Sequence, residues 1–253
     1  MFCELCLKLF IMTNIAERTL ASIVTEKFQT VPVLEKYNLD FCCKGKRTLS
    51  EACMEKGLPL EIISKELDLV VNAAERSHLP FTEMNAEQLI GYILIHHHFY
   101  VKQSMPIMYA HLEKVATKHG DRFPYMHKVL ELFTGIKTEM TTHMQKEEQV
   151  LFPRIKEIEA AFTNKETISI PEMFISMPVS MMEAEHDHAG TILYEIRALT
   201  NNYTPPQDAC TTFKLSLTEL REFEEDLHRH VHLENNLLFP LAKKMFQKIN
   251  SLN

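Results

Sequence analysis

The chain has 253 residues, 45% hydrophobic and 24% charged, with a net charge of −7, 13 histidines, 6 cysteines, 6 glycines and no tryptophan. That length holds one large domain, or a medium domain with a small appendage, and the scarcity of glycine beside abundant Glu, Lys, Leu and Met favours helix. The acidic balance argues against a nucleic-acid surface, which needs a basic patch to displace counterions.

The chain opens on "MFCELCLKLFIM", too short to span a membrane and interrupted by Glu4 and Lys8. It lacks a basic n-region, so it does not read as a signal peptide. No membrane partner is expected. The six cysteines do not read as a disulfide framework, because Cys42 and Cys43 are adjacent and neighbouring Cα atoms lie only about 3.8 Å apart. A reducing cytoplasm is the expected compartment.

Residues 13–79 read as short helical pieces broken by "TVP", "CCKGK" and "KGLP". A domain boundary is expected near Pro80, with Asn85 as the N-cap of the next helix. The expected organisation is an extension over 1–12, a small helical domain over 13–79 and a helical bundle over 80–250.

Beyond the boundary, apolar residues recur at steps of three and four. The first stripe is Leu94, His98, Val101, Met105, Met108. The second is Val129, Phe133, Ile136, Met140, His143, Glu147, Val150. The third is Val179, Met182, His186, Ala189, Leu193, Ile196. The fourth is Leu220, Phe223, Leu227, His230, Glu234, Leu237, Leu241. They predict four helices, over roughly 85–117, 122–161, 178–202 and 206–247, in an all-α up-down-up-down bundle. "HMQKEEQVLFP" at 143–153 and "HVHLENNLLFP" at 230–240 coincide at His143/His230, Glu147/Glu234, Leu151/Leu238, Phe152/Phe239 and Pro153/Pro240. One helical hairpin is thus used twice, and counting 1.5 Å of rise per residue brings its polar residues to one level.

A carboxylate in an apolar core is costly unless it is paired or binds a cation. Two carboxylates and four imidazoles converge here, with no Lys or Arg on the stripes. An i, i+4 pair projects from one helical face, so His143 with Glu147, and His230 with Glu234, reach one centre. Six nitrogen and oxygen donors are too many for a closed tetrahedral zinc site. They suit two metals, each held by two histidines and sharing both carboxylates, and the absence of thiolate suits iron or manganese. "HHH" at 96–98 offers His97 or His98, of which His98 continues the cleaner stripe. His188, His228 and His232 point off the stripes, and His78, His111 and His127 read as surface.

These residues resemble the hemerythrin-like di-iron fold. With "YNLDFCCKGKRTL" included, residues 13–247 closely resemble the repair-of-iron-centres family, through "DFCCKGK", "HMQKEEQVLFP", "EAEHDHAG", "TPPQDACTTF" and "HLENNLLFP". The resemblance implies two non-haem irons, bridged by carboxylates with room for an oxo group, on His98, His143, Glu147, His186, His230 and Glu234. It places a further functional histidine at His119 and the paired cysteines at Cys42 and Cys43. Those cysteines read either as packing of a small domain or as soft iron ligands and redox groups. Cys53 and Cys210 read as structural. Lys44–Gly45 stands where the family has a double glycine.

The function implied is repair of iron–sulfur clusters damaged by nitrosative or oxidative stress, with damaged iron–sulfur proteins and nitric oxide or reactive oxygen species as partners. The alternatives are a nitric oxide reductase or peroxide scavenger, and a hemerythrin-like O2/NO sensor. A homodimer is left open.

Overall fold

The computed structural model describes residues 15–72, 80–166, 171 and 173–250. Cys3, Cys6, His78 and the 1–12 extension lie outside them. The described residues within Met1–Met84, with Val231–Leu237, form one compact unit, and those within Asn85–His230 and Leu238–Asn253 form a second.

The first unit holds α1 (Leu20–Glu26), α2 (Val31–Lys36), α3 (Leu49–Lys56) and α4 (Leu60–Asn72). Each start has a local cause. The Thr19 side chain accepts from the Ser22 backbone N–H ahead of α1, Pro32 sits in the first turn of α2, and Thr48 and Glu51 form a capping box on α3. Gly57 ends α3 in the left-handed region, at φ 62°. Leu20, Val24, Leu34, Phe41, Leu49 and Ile63 are buried.

Four long helical runs follow. The run α5 joins Ala86–Tyr92, a π turn Ile93–His98 and Phe99–His119. In α6, Tyr125–Lys146 passes through a π turn Glu147–Leu151 into Phe152–Asn164. Helix α7 is Met173–Leu199. The run α8 joins Thr211–Leu233, a π turn Glu234–Leu238 and Phe239–Asn250. In the second unit, α5 packs on α6, α6 on α7, and the last stretch of α8 against both α6 and α7. Among the described residues the regular elements are helical, and the bundle is the all-α four-helix arrangement expected from the stripes. No helix among them is long and apolar enough to cross a membrane.

Helix α7 begins at Met173, earlier than the expected 178, and carries Pro178 inside it. Proline removes an N–H, but the ladder tolerates it here. The Phe174 carbonyl that Pro178 cannot reach accepts instead from the Arg154 guanidinium at 3.1 Å, and Arg154 also lies over the Phe174 ring.

The three π turns correct the stripes. Inserting a residue into an α-helix moves the buried face by one position. Val150 is 43% exposed while Leu151 is buried. Leu94 is half-buried while Ile93 is buried, and Leu237 and Leu241 are half-buried while Leu238 and Ala242 are buried. Each turn adjoins a candidate ligand: His98, Glu147 or Glu234. Pro153 and Pro240 each follow one of these turns, where a missing N–H loosens the backbone ladder.

Candidate metal centre

Helix α5 supplies His98, α6 supplies His143 and Glu147, α7 supplies His186, and α8 supplies His230 and Glu234. All six side chains are buried. Their donor atoms form two groups, His98, Glu147, His230 and Glu234, and His143, Glu147, His186 and Glu234. The two groups share both glutamates, which lie where their π turns begin. His98, not His97, belongs to this set.

The distances are those of a ligand shell. Nε2 of His98 and Nε2 of His230 are 3.1 Å apart, and Nε2 of His186 and Nε2 of His143 are 3.0 Å apart. Two nitrogens about 2.1 Å from one ion and at right angles to it lie roughly 3.0 Å apart. Glu147 Oε2 is 3.3 Å from Nε2 of both His98 and His143.

The outer nitrogens fix the tautomers. His98 Nδ1 donates to Glu148 Oε1 at 2.8 Å, and Lys102 Nζ donates to the same oxygen at 2.6 Å. His143 Nδ1 donates to Glu185 Oε2 at 2.9 Å, and Lys146 donates to the other oxygen of Glu185. Burial pushes the Glu148 carboxyl up, but the hydrogen bonds from Lys102 and His98 outweigh it and hold it below the usual range. Glu185 is held low in the same way, by Lys146 and His143 against burial. A carboxylate that only accepts keeps the proton on Nδ1, so Nε2 of each imidazole points a lone pair inward. Two inward lone pairs beside shared buried carboxylates are the donor set of a cation, so the residues fit a metal centre.

The repeated "LFP" supplies the cover. Phe152 stacks on His98 at 5.6 Å and Phe239 on His186 at 6.3 Å. Sequence reading singled out neither Glu148 nor Glu185. The available signal was position, since Glu148 follows Glu147 and Glu185 precedes His186.

The other histidines have separate partners. His97 is buried and pairs with Asp226 at 2.9 Å. His111, read as surface, is half-buried and bonds Glu219 at 2.9 Å. His232 lies off the stripe and is fully buried, with Asn236 at 3.2 Å and Phe41 edge-on at 5.7 Å. Burial pushes its pKa down to about 4, which leaves it neutral.

His119 belongs to neither group. It lies 21 residues beyond His98 on one helical run, about 31 Å at 1.5 Å per residue. Its Nε2 is 3.2 Å from Sγ of the exposed Cys210, whereas Cys53 is buried.

Cys42 and Cys43 are unbonded thiols with Sγ atoms 3.7 Å apart, beside Asp40. The hydrogen bond with Cys43, burial and the Asp40 charge push the Cys42 thiol well above its usual pKa. In the turn that carries them, a Cβ on Gly45 would meet the Phe41 carbonyl oxygen at 2.2 Å.

Comparison with known proteins agrees with this architecture. Residues 89–242 match the hemerythrin HHE cation binding domain, and residues 16–70 match ScdA_N, a domain of unknown function (DUF542). A "Probable iron-sulfur cluster repair protein" of Haemophilus influenzae is 36% identical over 228 residues, 90% of this chain and 97% of its own. The iron-sulfur cluster repair protein YtfE of Shigella boydii is 35% identical, over 83% of this chain and 89% of its own. YtfE of Escherichia coli has the same identity and coverage. The chain belongs to the hemerythrin-like repair-of-iron-centres family, with the hemerythrin HHE and ScdA_N domains in one polypeptide.

Proposed function

We propose that this chain is a di-iron protein that repairs iron–sulfur clusters damaged by nitrosative or oxidative stress, by supplying or redox-cycling iron. The observation that carries the reading is the pair of donor groups sharing Glu147 and Glu234. The names of the relatives supply the reaction class.

In this reading His98 and His230 would hold one iron and His143 and His186 the other, with Glu147 and Glu234 common to both donor groups. Iron bound there would supply a one-electron couple and exchangeable coordination positions. The chain's own residues do the rest. Glu148 and Glu185 orient His98 and His143 and keep the proton on Nδ1. Phe152 and Phe239 cover imidazole faces and exclude water. The unbonded thiols of Cys42, Cys43, Cys53 and Cys210 suit a reducing cytoplasm, and damaged iron–sulfur proteins are the partners.

Purified iron-loaded chain is expected to restore activity to an enzyme whose cluster has been damaged by nitric oxide. Glu147→Leu is expected to abolish that recovery. Equal repair by the variant removes the centre from the mechanism, and many cycles of nitric oxide turnover per chain would favour a reductase instead.

A further inference from the structure

The turn 40–45 in the first unit assembles a second constellation, remote in chemistry from the histidine–carboxylate centre. Sγ of Cys42 and Sγ of Cys43 are 3.7 Å apart. Two sulfurs about 2.3 Å from one tetrahedral ion lie about 3.8 Å apart. Asp40 Oδ1 is 3.3 Å from Cys42 Sγ, near the roughly 3.5 Å expected for a sulfur and an oxygen on such an ion.

The backbone holds the three donors in that arrangement. Asp40 Oδ1 accepts from the backbone N–H groups of Cys42, Cys43 and Lys44, at 3.1, 3.0 and 3.3 Å. Gly45 lets the turn close on the Phe41 carbonyl, where any Cβ would collide. Asn236 Nδ2 donates to the Cys42 carbonyl at 3.4 Å, within the same unit. In this turn the Cys42 thiol donates to Asp40 Oδ1 at 3.3 Å and lies 3.7 Å from Cys43 Sγ, so the two sulfurs and the carboxylate already face one another where a shared proton could give way to an ion.

We propose that Asp40, Cys42 and Cys43 form a second metal site, which takes one thiophilic divalent transition-metal ion of the ferrous or zinc class. Two thiolates select such an ion over magnesium or calcium. Three protein donors leave a fourth position for water or an incoming thiolate, the arrangement of an exchangeable site rather than a closed structural one. Cys42 is buried and Cys43 half-exposed, so the open side lies at Cys43. On binding, two S–H bonds break, two metal–sulfur bonds form, two protons pass to solvent and no electron is transferred. The site stands whether or not the histidine–carboxylate centre performs repair.

Cobalt(II) is the probe, added anaerobically to the reduced, iron-loaded full chain. A sulfur-to-cobalt charge-transfer band with tetrahedral d–d absorption is expected at one equivalent, a signature that nitrogen and oxygen ligands do not give. Cys43→Ser, at a half-exposed position, is expected to remove most of the band. Asp40→Asn keeps an acceptor for the three backbone N–H groups and is expected to weaken binding about 10–100-fold. Cys210→Ser is expected to leave the band unchanged, and far-UV circular dichroism verifies the helical fold of each variant. Absence of the band in the parent chain overturns the proposal, as does a band that survives Cys43→Ser or is lost in Cys210→Ser.

Discussion

Glu148 accepts a hydrogen bond from Nδ1 of His98 at 2.8 Å, one residue after Glu147 places its own carboxylate 3.3 Å from Nε2 of the same ring. Adjacent glutamates therefore address opposite sides of one imidazole. The π turn that begins at Glu147 lets consecutive side chains do this, and Glu185 repeats the outer contact on His143.

Glu148→Gln and Glu185→Gln keep an acceptor for Nδ1–H but remove the negative charge. Each is expected to lower iron affinity about 10–100-fold, read as faster iron loss to a ferrous chelator. If the proposed centre holds two irons, Glu148→Gln should release first the one bound with His98, and Glu185→Gln the one bound with His143. Mössbauer spectra of the partly depleted protein distinguish the two. Uniform loss from both positions would contradict separate outer partners.

Arg197 and Glu224 form a largely buried ion pair at 2.6 Å. Replacing only Arg197 with Met leaves a buried carboxylate and is expected to cost about 3–5 kcal/mol in urea unfolding. Replacing both, with Glu224→Leu, should recover most of that loss. An additive double mutant would mean that the pair is not coupled.

Gly45→Ala places a methyl against the Phe41 carbonyl oxygen and is expected to destabilise the first unit by about 1–3 kcal/mol. Gly57→Ala meets no atom within 4 Å but takes a positive φ, at an expected cost of about 1 kcal/mol. Denaturant melts of the two variants compare a collision with a purely conformational cost. A Gly45→Ala chain as stable as the parent would show that the turn can yield.

Helix α7 was legible residue by residue, since Val179, Met182, His186, Ala189, Leu193 and Ile196 are all buried and no π turn interrupts them. The other three runs were legible up to the ligand and wrong by one position beside it, because periodicity assumes an unbroken α ladder. The six donors were visible because polar residues on apolar stripes stand out. Glu148 and Glu185 sit off those stripes, and only the neighbouring helix reveals their purpose. His232 was read as lying off the stripe, which it does. Its burial depends on Thr25, Phe28 and Phe41, roughly 200 residues earlier in the chain, a distance that helical periodicity does not bridge.

Metal analysis of the purified chain, joined to Mössbauer spectroscopy, tests the shared-carboxylate centre most directly. Two irons per chain are predicted, coupled through a bridge and lost together when His143 or His230 is replaced by Ala. A single zinc, or one iron that survives both substitutions, would contradict it.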